Sequence, residues 1–156
     1  MNITPPSGQT YHTIAPDPFD ANRIVAATDG GSLSQSLDRG ATWGDGINWT
    51  ASRIATDIPW LAWTKENYMS SGDMVFDPLV NNKMWFAEGI GVWTTNVPRT
   101  LLWNTPVVWN SQSKGIEQLV ANVIVAPPGG KPVVGSWDRP VFYVNDPDVF
   151  PSTHGP

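Results

Sequence analysis

The chain of 156 residues contains no cysteine and only two histidines, His12 and His154. Without thiols there is no disulfide framework, no thiolate zinc site and no cysteine nucleophile. Neither histidine has a ligand-type partner at close spacing, which leaves no basis for a histidine-built metal centre or a Ser-His-Asp relay. No metal and no cofactor are expected. The residue type in excess is tryptophan, present nine times. Its flat ring and indole N–H suit a layered core and a sugar-stacking platform equally, and composition leaves both uses open. Nine Lys plus Arg against fourteen Asp plus Glu give a net charge of -5. Phosphates are met by clustered Lys and Arg, and no such cluster occurs, so neither nucleic acid nor an anionic membrane surface is an expected partner.

These side chains must be positioned by short elements. Fourteen Gly and fifteen Pro are spread along the chain, a composition that suits short strands joined by tight turns. Tyr11 to Ala15 reads as a strand and Asp17 to Asn22 as a turn. Arg23 to Thr28 reads as a second strand, and Ser32 to Ser36, after Asp29-Gly30-Gly31, as a third. The rhythm returns at Asp73 to Phe76, Met84 to Ala87 and Gly91 to Thr95. Asp17, Pro18, Asn22, Ala27 and Gly31 reappear as Asp77, Pro78, Asn82, Ala87 and Gly91, sixty positions on (77 − 17 = 60). A weaker third copy places strands at Val123 to Val125, Val133 to Gly135 and Val141 to Tyr143.

Repeats of this length built from small antiparallel sheets are the signature of propeller blades. The expected fold is therefore all-β, a partial β-propeller of about three blade-like antiparallel units with one Asp-box turn. Closure takes four to eight blades, so completion by remaining blades or by self-association is expected. The spans Gly44 to Ser71 and Asn96 to Gln118 show little periodicity and read as long loops, and Pro59-Trp60-Leu61-Ala62-Trp63 is too short for an amphipathic helix. No apolar stretch approaches the roughly 18–20 residues that span a bilayer, and Met1 to Thr10 is polar rather than signal-like. Sequons at Asn2 and Asn48 would matter only in a secretory eukaryotic setting.

Ser36-Leu37-Asp38-Arg39-Gly40-Ala41-Thr42-Trp43 matches Ser-x-Asp-x-Gly-x-Thr-Trp and resembles the Asp-box turn of sialidases, sortilin-type propellers and polysaccharide-degrading propellers. The role expected of Ser36, Asp38, Gly40 and Trp43 is structural: the Asp side chain accepts backbone N–H groups, Gly supplies an unusual dihedral and Trp packs beneath.

A second resemblance runs through Asp17 to Asp29, Pro59-Trp60-Leu61, Met69 to Pro78, Gly91-Val92-Trp93-Thr94-Thr95, Gly115 to Gln118, Ala126 to Gly130 and Val133 to Asp138. In that order they resemble the xyloglucanase-type glycoside hydrolases of family 74. The resemblance implies two propellers facing across a cleft and inverting hydrolysis of the β-1,4-glucan backbone of xyloglucan. It also implies an extracellular setting. Residues 1–58 would be a blade-like unit with the Asp-box, resembling the end of a first propeller domain, and 59–156 the incomplete start of a second.

By the same resemblance Gly72-Asp73-Met74 makes Asp73 the counterpart of the general acid. Inversion needs a second carboxylate across a gap of roughly 6.5–9.5 Å to activate water. Thr28-Asp29-Gly30-Gly31 resembles the family's base context but lacks one intervening residue, which leaves Asp29 a weak candidate base and a turn-forming Asp the alternative. Glu117 is weaker still, and Asp138 with Arg139 forms a candidate surface pair where the family continues with Gly-Gly. Trp60, Trp85, Trp93 and Trp137 are candidate sugar platforms, with core packing the alternative for each. The expected ligand is a polysaccharide or oligosaccharide. The runner-up function is a noncatalytic Asp-box module that binds glycan or protein; a third possibility is a partial chain with no independent activity.

Overall fold

A computed structural model describes residues 10–29, 33–44, 51–63, 71–89, 91–97, 99–100, 107–116, 120–137 and 141–152. Along the chain run β1 (Tyr11–Asp17), β2 (Asp20–Thr28), β3 (Leu33–Ser36), β4 (Ala51–Ile54), α1 (Pro59–Trp63), β5 (Ser71–Phe76), β6 (Lys83–Glu88), β7 (Gly91–Asn96), β8 (Val107–Ser111), β9 (Ala121–Val125), β10 (Val133–Ser136) and β11 (Phe142–Tyr143). They form three sheets in the orders β1-β2-β3, β4-β8-β7-β6-β5 and β11-β10-β9. Successive antiparallel meanders of this kind make a partial β-propeller-like fold.

The first two meanders share their turn chemistry. Asp17 Oδ1 accepts the Phe19 N–H at 2.8 Å, and Asp77 Oδ1 accepts the N–H groups of Leu79 and Val80 at 2.9 and 3.0 Å. A short carboxylate that satisfies the amides two and three residues on fixes a tight reversal, which is why Asp recurs there. Asn82, at φ 65°, takes the left-handed backbone that Asn tolerates better than most side chains. Its carbonyl accepts the Val97 N–H at 2.8 Å, as that of Asn22 accepts the Arg39 N–H at 2.8 Å.

Register repeats as well. The first strand of every meander carries an irregularity at the same end, between Tyr11 and Thr13 in β1, between Ser71 and Asp73 in β5, and opposite Gly135/Ser136 in β9. Beyond each bulge the pairs Ala15↔Val25, Val75↔Trp85 and Val125↔Val133 occupy matching positions.

Alternation supplies the core. Met84 and Phe86 of β6 are buried between half-buried neighbours, and Gly91, Trp93 and Thr95 of β7 follow the same period. Met84, Phe86 and Trp93 join Val25, Leu33, Met74, Phe76 and Trp109 in one apolar cluster. Phe86 and Trp109 meet at 5.4 Å between ring centroids. Each fully buried side chain of this size contributes roughly 1.5–3 kcal/mol. Strand β1 lies beside β5, and the seam is held by Arg23, whose guanidinium donates to Asp17, Gln35, Asn82 and the Val97 carbonyl and lies 5.1 Å from the Phe76 ring centroid.

Three elements depart from the sequence reading. Strands β4 and β8 and the short helix α1 occupy the spans read as long loops. β4 pairs in parallel with β8, Ala51 opposite Val107 through Ile54 opposite Asn110, so the central sheet holds one parallel pair. Short apolar runs such as Val107-Val108-Trp109 carry too few residues to declare a period, and a parallel partner more than fifty residues away is chosen by packing. The sequons at Asn2 and Asn48, and Glu117, Asp138 and Arg139, lie outside the described residues.

Candidate functional site

The start of β5 carries the acid candidate. The register passes from Ser71↔Glu88 to Asp73↔Ala87, leaving Gly72 as the extra residue of a bulge. A Cβ on Gly72 would stand 3.3 Å from the Ala87 carbonyl oxygen, so the bulge approaches its partner strand closely. Bulges re-aim side chains and are common next to active sites. Here the result is an exposed Asp73, whose Oδ1 accepts the Met74 N–H at 2.8 Å.

Asp29 follows directly on β2, whose last residue, Thr28, pairs with Tyr11 at the start of β1. Asp29 follows the last residue of β2 and Asp73 stands near the start of β5, so the two occupy corresponding ends of the first two meanders. Asp29 is half-buried. A third carboxylate, Glu88, belongs to this end and was not singled out in the sequence. It stands opposite Ser71, but the bulge puts it on the other face of the sheet from Asp73, and its Oε1 accepts the Trp93 indole N–H. The signal that could have found it is its place sixty residues after Thr28 (88 − 28 = 60).

The tryptophans divide by burial. Trp60 and Trp93 are 4% and 2% exposed; Trp60 packs edge-on against Phe142 at 6.0 Å, and Arg53 lies 5.8 Å from the Trp93 ring. Their faces are taken by protein, so both serve packing. Trp85 is half-buried, its Nε1 donating to Asp77 Oδ2 at 2.9 Å while the Lys83 ammonium sits 4.2 Å from its ring centroid. Trp137 is 75% exposed and presents an open indole.

The Ser36 to Trp43 segment is a closed hydrogen-bonded turn. Ser36 Oγ donates to Asp38 Oδ1 at 2.8 Å and accepts the Gly40 N–H at 2.8 Å, and Asp38 Oδ1 accepts the Thr42 N–H at 2.7 Å. Gly40, at φ 83°, supplies the left-handed backbone, preceded by Arg39 at 62°. Trp43 is half-buried. Bonds from the Thr42 hydroxyl, the Thr42 amide and the Ser36 hydroxyl hold the Asp38 carboxyl below its ordinary value. A carboxylate committed to its own turn has no proton to deliver elsewhere.

Asp57 is a second organiser absent from the sequence reading. Its Oδ2 accepts the Ser111 hydroxyl at 3.1 Å and the N–H groups of Ser113 and Lys114 at 2.9 and 3.1 Å, tying the segment before α1 to the loop after β8.

No family model matches the sequence, and no curated protein matches it. Among solved structures the chain is similar to the crystal structure of a GH74 enzyme from Niastella koreensis, with a TM-score of 0.68 and 24% identity. The match covers 99% of this chain and 24% of that one. The likeness establishes a fold like that of the GH74 enzyme, over a stretch that is a minor part of its length.

Proposed function

We propose that the chain belongs to a glycoside hydrolase-like propeller acting on β-1,4-glucan polysaccharide, specifically xyloglucan, by inverting hydrolysis, with Asp73 as the general acid. The observation that carries this reading is the exposed carboxylate of Asp73, set on the Gly72 bulge in a fold like that of a GH74 enzyme. An exposed acid at a strand edge can reach a glycosidic oxygen and protonate the departing sugar. A carboxylate across a gap of roughly 6.5–9.5 Å then draws the proton from water attacking the opposite face of the ring. Asp29, at the corresponding end of the first meander, is the candidate for that carboxylate. Trp137 supplies a platform for a sugar ring. The test is the anomeric form of newly released product from xyloglucan, followed by NMR: inversion of the β-linkage gives the α-anomer first, and Asp73→Asn abolishes release.

The runner-up is a glycan-binding module without catalysis, favoured by the bond from the Met74 amide to Asp73 within its own strand. Binding of xyloglucan oligosaccharides without cleavage, equal in wild type and Asp73→Asn, would establish it.

A further inference from the structure

The face of the central sheet that carries Asp73 also carries a cavity that the chemistry above does not use. It measures about 320 Å³, the lower end of the roughly 300–1,000 Å³ of small-molecule sites. Val80 and Asn81, in the turn before β6, line it together with Lys83, Thr94, Asn96 and Asn110 of β6, β7 and β8. Register puts these side chains on the face of Asp73. Asp73 pairs with Ala87 and Val75 with Trp85, Trp85 with Thr94 and Lys83 with Asn96, and Thr94 with Asn110; paired residues share a face, as do alternate residues along a strand. With strands about 4.8 Å apart and a rise of about 3.3 Å per residue, Thr94 stands roughly 12 Å from Asp73, with Trp85 between them.

The lining selects the occupant. Asn81, Asn96 and Asn110 are exposed. Asn110 Nδ2 makes one long bond, 3.4 Å to the Val108 carbonyl of its own strand, and the side chains of Asn81, Thr94 and Asn96 carry no hydrogen bond among the described residues. Lys83 is the one charged group of the lining; it stands 3.6 Å from Asp77 and 4.2 Å from the Trp85 ring centroid, so its charge is already answered. A phosphate or other strong anion would need clustered cations, and an apolar ligand would leave the amides and the hydroxyl unpaired. Carboxamides and hydroxyls both donate and accept, which matches a neutral molecule dense in hydroxyl groups.

We infer that this cavity is a subsite for a neutral sugar ring of a glucan chain that runs from Asp73 past Trp85, more than one ring away from the bond at Asp73. Asn96 and Asn110 are its specificity-determining residues, and Thr94 and Asn81 complete the hydrogen-bonding set. The inference rests on the reading of the Asp73 face as glycan-binding, and not on cleavage.

NMR titration of the isotope-labelled Asp73→Asn chain, chosen to prevent cleavage, with a xyloglucan oligosaccharide tests it. The expected result is saturable shifts of the side-chain amide signals of Asn81, Asn96 and Asn110 and of the Thr94 backbone amide. In the same background, Asn96→Ala combined with Asn110→Ala, both at exposed positions, should raise Kd at least about tenfold, the scale of losing two hydrogen bonds. Near-ultraviolet circular dichroism of the tryptophans verifies that the variant is folded, and the shifts in the chain that keeps both asparagines decide the matter if it is not. An acidic oligogalacturonate should bind more weakly than the neutral oligosaccharide. Absence of binding, binding that leaves these signals in place, an unchanged Kd in the folded variant, or tighter binding of the oligogalacturonate each overturns the inference. Cleavage is read separately: a wild-type chain that releases no reducing ends yet shows these shifts supports the subsite and contradicts the hydrolase reading.

Discussion

Arg23 Nη1 donates to Asn82 Oδ1 at 2.6 Å across the seam between the first two sheets, while the same nitrogen lies 3.2 Å from Asp17 Oδ2. Both side chains of the Arg23–Asp17 pair are out of solvent, at 0% and 2% exposure. Burial pulls the guanidinium below its ordinary value and Asp17 opposes that shift; an arginine nevertheless stays charged. Sixty positions on stands Lys83, 3.6 Å from Asp77 and stacked on Trp85. A planar fork with five donors can hold several acceptors in two sheets at once, where an ammonium serves as a point charge.

Arg23→Met should therefore destabilise the fold by about 3–5 kcal/mol, because it leaves Asp17 buried without its partner. Arg23→Lys should recover only part of the loss. The shift in urea midpoint measures both.

Two carboxylates with lowered folded values contribute to the acid limb of stability. Asp38 is held below 3.8 by the Thr42 and Ser36 bonds. Asp77 is held below 3.8 chiefly by the Trp85 indole, then by the Leu79 and Val80 amides and Lys83. With the folded value depressed, the unfolded chain binds more protons over this range. The stabilisation is complete above the unfolded value and disappears as pH falls through the folded one. Thermal midpoints from about pH 6 down to pH 2 should fall steeply on the acid side. Asp38→Asn and Asp77→Asn should each lower the neutral midpoint and flatten that fall.

The tryptophans should separate stability from binding. Trp93→Ala empties a core position and should cost about 3–5 kcal/mol. Trp137→Ala should change stability by less than about 0.5 kcal/mol and weaken xyloglucan oligosaccharide binding. Urea unfolding and calorimetric titration distinguish the two.

Gly91 permits a close approach. A Cβ there would fall inside the Ser113 side chain, whose hydroxyl accepts the Val92 N–H at 2.9 Å and donates to the Val92 carbonyl at 3.0 Å. Gly91→Ala should cost about 1–3 kcal/mol through overpacking. Gly89→Ala, where a Cβ meets nothing within 4 Å, is the control and should be close to neutral.

Much of this architecture was legible because turn residues act locally. Asp17 and Asp77, Asn22 and Asn82, Gly40 and Gly91 mark reversals and close approaches that few other side chains allow, and the strands between them fall within a few residues of expectation. The β4–β8 pair was not legible, since a four-residue strand carries little pattern and its partner is far along the chain. β4 also joins a sheet whose other strands all follow residue 58. At the site, the Gly72 bulge was hidden because a one-residue slip in register leaves no mark in composition. That slip is what sends Asp73 and Glu88 to opposite faces. Trp60 and Trp93 were indistinguishable from Trp137 in sequence, because tryptophan suits both a core and a platform and only the packing around it decides.

The central claim rests on Asp73, and the most direct measurement is the initial rate of reducing-end release from xyloglucan by the folded chain and by Asp73→Asn. The account predicts release by the wild type and a loss of at least about 100-fold in the variant, the scale of removing a general acid, with the fold unchanged. No release by a folded wild-type chain, or equal release by both proteins, would contradict it.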